Sequence, residues 1–102
     1  MEIKYSKSGG SLTVYLKGEL DEFSALGARD VLDKLILDNI NSERIVFDLS
    51  DITFMDSTGI GLLIGRYKKI KRFNRQAYIA GANVATEKVI QLAGLYNIMP
   101  KF

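Results

Sequence analysis

Between Phe54 and Gly61 the chain reads FMDSTGIG, and the densest chemistry of the sequence sits there: a carboxylate at Asp56, hydroxyls at Ser57 and Thr58, and glycines at 59 and 61. Three kinds of chemistry compete for this stretch. An Asp or Ser ahead of an apolar periodic run caps a helix by accepting hydrogen bonds from its unpaired N–H groups, which contributes about 1 kcal/mol. A glycine-rich turn between a strand and a helix can instead cradle phosphate with those N–H groups and the helix dipole. Finally, a serine at a helix start can carry a phosphoryl group, about −1.5 to −2 charges, without unfolding the domain.

The nucleotide reading is the weakest of these. Gly59, Gly61 and Gly65 give the spacing G-x-G-x-x-x-G, which misses the dinucleotide fingerprint by one residue, and no G-x-x-x-x-G-K-[ST] occurs. Catalysis by the chain itself fares no better. With no cysteine and no histidine among 102 residues, a Ser-His-Asp triad, a thiolate nucleophile, a Cys/His zinc site and a histidine base are all excluded. A Ser57 nucleophile with a lysine base finds every nearby lysine turns away along the helix, and no oxyanion arrangement can be read from spacing. No residue set calls for a cofactor or a metal. The chain reads as something other than an enzyme.

The surrounding elements follow from periodicity. Ile3 and Tyr5, then Leu12, Val14 and Leu16, alternate on either side of Gly9-Gly10, a β-hairpin signature. Ser24 is a candidate N-cap for a helix reaching about Ile40, with Ala28, Val31, Leu32, Leu35 and Ile36 as its apolar stripe. RIVFDLS, Arg44 to Ser50, reads as a buried strand ending in a turn at Ser50-Asp51. A helix then runs from about Ser57 to Phe73, with Asp56 or Ser57 as its cap. QAYIAG is a further strand, Asn83 caps a helix over Val84 to Ala93, and Gly94 stops it. LYNIMPKF offers an edge strand limited by Pro100. The order β-β-α-β-α-β-α predicts one sheet covered by helices, an α/β architecture if the crossovers are parallel. At this length and with 47% hydrophobic residues, it should be one domain. MEIKYSKSGG lacks a signal-peptide core and no run approaches about 18 apolar residues, so the expectation is a soluble, cytoplasmic protein without a membrane partner.

Stepping about 100° per residue from Ile60 gathers Ile60, Leu63, Ile64, Tyr67 and Ile70 into a buried stripe. Opposite them fall Thr58, Gly61, Leu62, Gly65 and Lys69. Glycines on an exposed helical face cost about 1 kcal/mol each against alanine, and Leu62 would present apolar surface to water. Small residues framing an outward leucine suggest a docking surface; the plainer explanation is that another part of the chain covers this face. The same helix carries Arg66, Lys68, Lys69, Lys71 and Arg72, followed by Arg75, which opens a nucleic-acid-binding alternative over 66–75. A solvated basic face explains those residues equally well, and a net charge of +2 does not favour a polyanion.

KGELDEFSA at Lys17–Ala25, IVFDLSDITFMDSTGIGLLIGRYKKIKRF at Ile45–Phe73 and IQLAGLYNI at Ile90–Ile98 together resemble the STAS-domain anti-anti-sigma factors, the antagonists of anti-sigma factors. MDSTGIG carries most of that likeness, and GRYKKIK points towards the sporulation branch over the general-stress branch. The resemblance implies a single STAS domain with a mixed sheet over residues 1–102, monomeric when free. It further implies partner switching: the unmodified protein binds an anti-sigma factor that is also a serine kinase and so releases the sigma factor. The kinase uses ATP to phosphorylate the serine after the motif aspartate, here Ser57, which abolishes binding; a serine phosphatase restores it. Asp56, Ser57, Thr58, Gly61, Leu62 and Gly65 then form the partner surface, joined by Asp21 at the end of GELD, with no direct contact to nucleic acid. Relatives continue into a further C-terminal helix beyond the position of Phe102.

Overall fold

The computed structural model describes residues 1–102 and shows a four-stranded sheet in the order β1-β2-β3-β4. Strands β1 (Glu2–Ser8) and β2 (Ser11–Leu20) form the expected hairpin. Its turn needs positive φ at two successive residues, which Gly9 (56°) and Gly10 (81°) supply without strain. Alternation then sends Leu12, Val14 and Leu16 into the core while Tyr15 and Lys17 stay exposed.

After β2 come helix α1 (Glu22–Asp38), strand β3 (Arg44–Met55), helix α2 (Ser57–Arg72), strand β4 (Gln76–Ala80) and helix α3 (Val84–Leu92). β2 pairs with β3 and β3 with β4, both parallel, while β1 runs antiparallel to β2. The sheet is therefore mixed and the class α/β. Two successive crossovers in one direction bring α1 and α2 against each other on the same face, as the common hand of such connections requires. They pack side by side over a core built on Leu12, Leu32, Ile36, Phe47, Leu63, Ile70 and Ile79, all fully buried. Each such side chain contributes about 1.5–3 kcal/mol by leaving water.

Three boundaries differ from the sequence expectation. Helix α1 begins earlier, because Asp21 caps it: Asp21 Oδ1 accepts from the N–H groups of Phe23 (3.0 Å) and Ser24 (3.1 Å). Ser24 is the reciprocal partner, its Oγ accepting from the Asp21 N–H and donating to the Glu19 carbonyl. Strand β3 does not turn at Ser50-Asp51 but continues to Met55; irregular register against β2 near Lys17 and Gly18, where Gly18 takes φ 114°, absorbs the mismatch. The tail forms a 3-10 turn at Leu95–Asn97 and then pairs with β4 only through an isolated bridge between Ile79 and Lys101, not as a strand. Gly94 does stop α3, at φ 70°.

Candidate functional site

The last paired residues of β2 and β3 are Leu20 and Met55, and each strand passes directly into the cap of a helix. Register alone thus brings Asp21 and Asp56 together at the C-terminal end of the two central strands, with the first turns of α1 and α2 beside each other. Asp56 Oδ1 accepts from the N–H groups of Thr58 (2.9 Å) and Gly59 (3.2 Å), so the cap is Asp56, not Ser57. Both helix starts already hold a carboxylate where a bound phosphate would sit, which counts against the nucleotide reading.

That division of labour leaves Ser57 free. It occupies the first position of α2, exposed, with its hydroxyl engaged by no side-chain hydrogen bond of the chain. Thr58 is exposed too, though its N–H is committed to Asp56. The glycines divide sharply. A Cβ on Gly59 would stand 2.7 Å from the Leu20 carbonyl oxygen and 2.8 Å from Met55 Cγ, so this glycine lets α2 approach β2. A Cβ on Gly61 or Gly65 would meet nothing within 4 Å. Nothing inside the chain requires glycine at those two positions.

Leu62 does not present its side chain to water: it is 7% exposed. The expectation of an outward leucine fails because periodicity measured from Ile60 locates the sheet and not α1, which lies along that flank of α2. Leu62 is the floor of a groove whose walls are Glu22, Ala25, Leu26 and Arg29 from α1 and Thr58 and Gly61 from α2. Leu26 on α1, 65% exposed, stands in the wall of this groove and was not singled out from sequence. The available signal was its apolar type outside the α1 stripe.

Further along α2 the basic residues are partly consumed by the fold. Arg66, 8% exposed, sets its Nε 2.8 Å from Asp33 Oδ1 of α1, with the N–H off the line of a hydrogen bond, so the contact is an ion pair. Burial lowers the Arg66 pKa and the Asp33 charge opposes that shift. Lys69 Nζ reaches the same oxygen at 3.7 Å, and Arg75 Nε donates to the Ile40 carbonyl. Lys68, Lys71 and Arg72 remain exposed, half of the basic set proposed for a nucleic acid. No three acidic side chains gather as a cation ligand set, and no helix is long and apolar enough to cross a membrane.

The STAS domain family matches residues 2–102. The chain belongs to this family. It is 33% identical over 100 residues to an anti-sigma F factor antagonist of Paenibacillus polymyxa, covering 98% of this chain and 85% of that one. An anti-sigma-B factor antagonist of Staphylococcus aureus is 31% identical over 93 residues, covering 91% and 77%. By homology the STAS chain groups with the anti-sigma factor antagonists. The solved anti-sigma factor antagonist SpoIIAA in its unphosphorylated form superposes with a TM-score of 0.79 at 22% identity, over 99% of this chain and 88% of the other. The Bacillus cell fate determinant SpoIIAA in its phosphorylated form gives 0.71 at 22% identity, over 99% and 91%. Those two likenesses establish the shared STAS fold.

Proposed function

We propose that this STAS domain is an anti-sigma factor antagonist whose unmodified form binds an anti-sigma factor with serine-kinase activity, and that phosphorylation of Ser57 turns binding off. The observation that carries the reading is the position of Ser57: first residue of α2, exposed, beside the cap Asp56, and on the helix whose Gly61 and Gly65 face open space. A phosphoryl group there leaves the core untouched. It adds charge close to Asp21 and Asp56, however, and a partner seated on α2 would have to desolvate it.

In this reading Asp21 and Asp56 fix the two helix starts that the partner meets, Thr58 and Gly61 line the groove, Gly65 allows close approach further along α2, and Leu62 holds the groove floor. The kinase brings its own ATP, and a serine phosphatase resets the switch. Likeness to both F-type and B-type antagonists leaves the sporulation and stress pathways as the two candidate settings, with GRYKKIK supporting the former. The protein would act in the cytoplasm, where a sigma factor works, and without a contact to DNA of its own.

The test is a pair of variants against the purified anti-sigma kinase. Ser57→Ala should bind as the parent does and accept no phosphate, whereas Ser57→Asp should bind about a hundredfold more weakly or worse. Parent-like binding by Ser57→Asp, together with phosphate found on another residue, would overturn the reading.

A further inference from the structure

Helix α1 has two flanks, and the one away from α2 is unpartnered. There Phe23, Gly27 and Val31 lie at successive four-residue steps beside the edge strand β1, enclosing with Met1 and Ile3 an apolar cleft. Phe23 is 89% and Val31 52% exposed, and a Cβ on Gly27 would meet nothing within 4 Å. Along the strand, Tyr5 is 57% exposed and the outer backbone groups of β1 pair with no other strand. An unpaired edge next to an apolar helix flank is the geometry that invites another chain.

We infer that this face joins two copies of the chain, β1 to β1 antiparallel about a two-fold axis through Ile3. A dyad perpendicular to the sheet keeps each side chain on its own face, so a residue can only oppose one an even number of positions away. Few registers meet that condition. A dyad at Lys4 opposes Lys4 with itself, and one at Tyr5 opposes Ile3 with Lys7. Only the dyad at Ile3 sets acid against base within β1: Glu2 faces Lys4 of the second copy, twice, and Met1 faces its Tyr5.

Within each copy Lys4 Nζ already lies 3.2 Å from Glu2 Oε1, so pairing exchanges two intramolecular contacts, one per copy, for two intermolecular ones on the same face, and the charges select the register without adding contacts. The cleft of Phe23, Gly27 and Val31 lies over the same end of β1. It would therefore meet its own copy across the axis, with Gly27 permitting two antiparallel α1 helices to approach closely. Ala25, Leu26 and Arg29, which line the α2 groove, are on the other flank of α1. Self-association and docking on α2 thus use opposite sides of α1, so this inference does not rest on the proposed function.

The experiment is sedimentation velocity on the full chain, from micromolar to roughly 1 mM, for the parent and the exposed variants Glu2→Lys and Lys4→Glu, with circular dichroism as a check on folding. The parent mass should rise towards a dimer with concentration. Each single variant, which sets like charges opposite one another, should associate about tenfold more weakly or worse. An equimolar mixture of the two restores acid against base at both sites and should associate as the parent does. A parent that stays monomeric throughout, single variants that dimerise like the parent, or a mixture no better than its components would overturn the inference. The same holds if β1 amides gain hydrogen-exchange protection only with the regulator bound, since the face would then belong to that regulator.

Discussion

The two halves of α2 solve different problems with the same backbone. Its first turns hold small and hydroxylated residues, Ser57, Thr58, Gly59 and Gly61, whereas its second half is locked to α1 through Arg66 and Lys69 on Asp33. Among the glycines of α2 the contrast repeats at finer scale: Gly59 is pressed against Leu20, and Gly61 and Gly65 face nothing. A glycine required by packing and a glycine that packing leaves free cannot be told apart by residue type. They separate once a Cβ is imagined on each.

Substitution should widen that separation. Gly59→Ala drives a methyl into the Leu20 carbonyl and Met55, and overpacking of this kind costs about 1–3 kcal/mol, readable as a lower urea midpoint. In the second half, Arg66→Ala leaves Asp33 only the more distant Lys69 and empties a packed site. A loss of about 1–3 kcal/mol is expected, less than for a fully buried pair because a quarter of the Asp33 side chain is exposed. Gly61→Ala and Gly65→Ala should move the other way, raising stability by about 0.5–1 kcal/mol each through helix propensity, while weakening capture of the anti-sigma kinase in a pull-down titration. If either glycine variant lost stability as Gly59→Ala does, the two classes of glycine would collapse into one.

The smallest effect lies far from both halves, at the tail. Glu87 pairs with Lys101, whose ammonium stands 5.1 Å from the Tyr96 ring centroid, and Phe102 meets Tyr78 edge-on at 5.4 Å. The hydrogen bond that Lys101 donates to Glu87 raises the Lys101 pKa above its ordinary 10.5, and burial followed by the Glu87 charge raises Tyr96 above 10.0. Both shifts favour the protonated form in the folded chain, so their contribution is complete below the unfolded values and fades as pH rises through the folded ones. The stability difference between the parent and Glu87→Gln should hold up to about pH 10 and shrink as the pH rises further in denaturant titrations.

The succession of strands and helices was legible because each carries its own period, from Leu12-Val14-Leu16 to Ile60-Leu63-Ile64, whereas the strand order in the sheet and the parallel sense of both crossovers came only with the structure. What stayed hidden depends on neighbours far away in sequence. Leu62 looked outward because one helix cannot report where another lies. The length of β3 was misread because Ser50 and Asp51, a turn pair by composition, are exposed on a strand that continues past an irregular register. Asp21 was singled out through family likeness as a binding residue, and the structure gives it a cap to make as well. Substituting it therefore alters the helix start along with any contact.

If Ser57 is the switch, charge at the head of α2 acts on the interface and not on the fold. Calorimetry on one preparation, stoichiometrically phosphorylated at Ser57 and compared with its unmodified parent, measures both quantities at once. The account predicts affinity for the anti-sigma kinase lowered about a hundredfold or more and a melting temperature changed by no more than a few degrees. Undiminished affinity in the modified sample, or weakened binding accompanied by a collapsed melting transition, would contradict it.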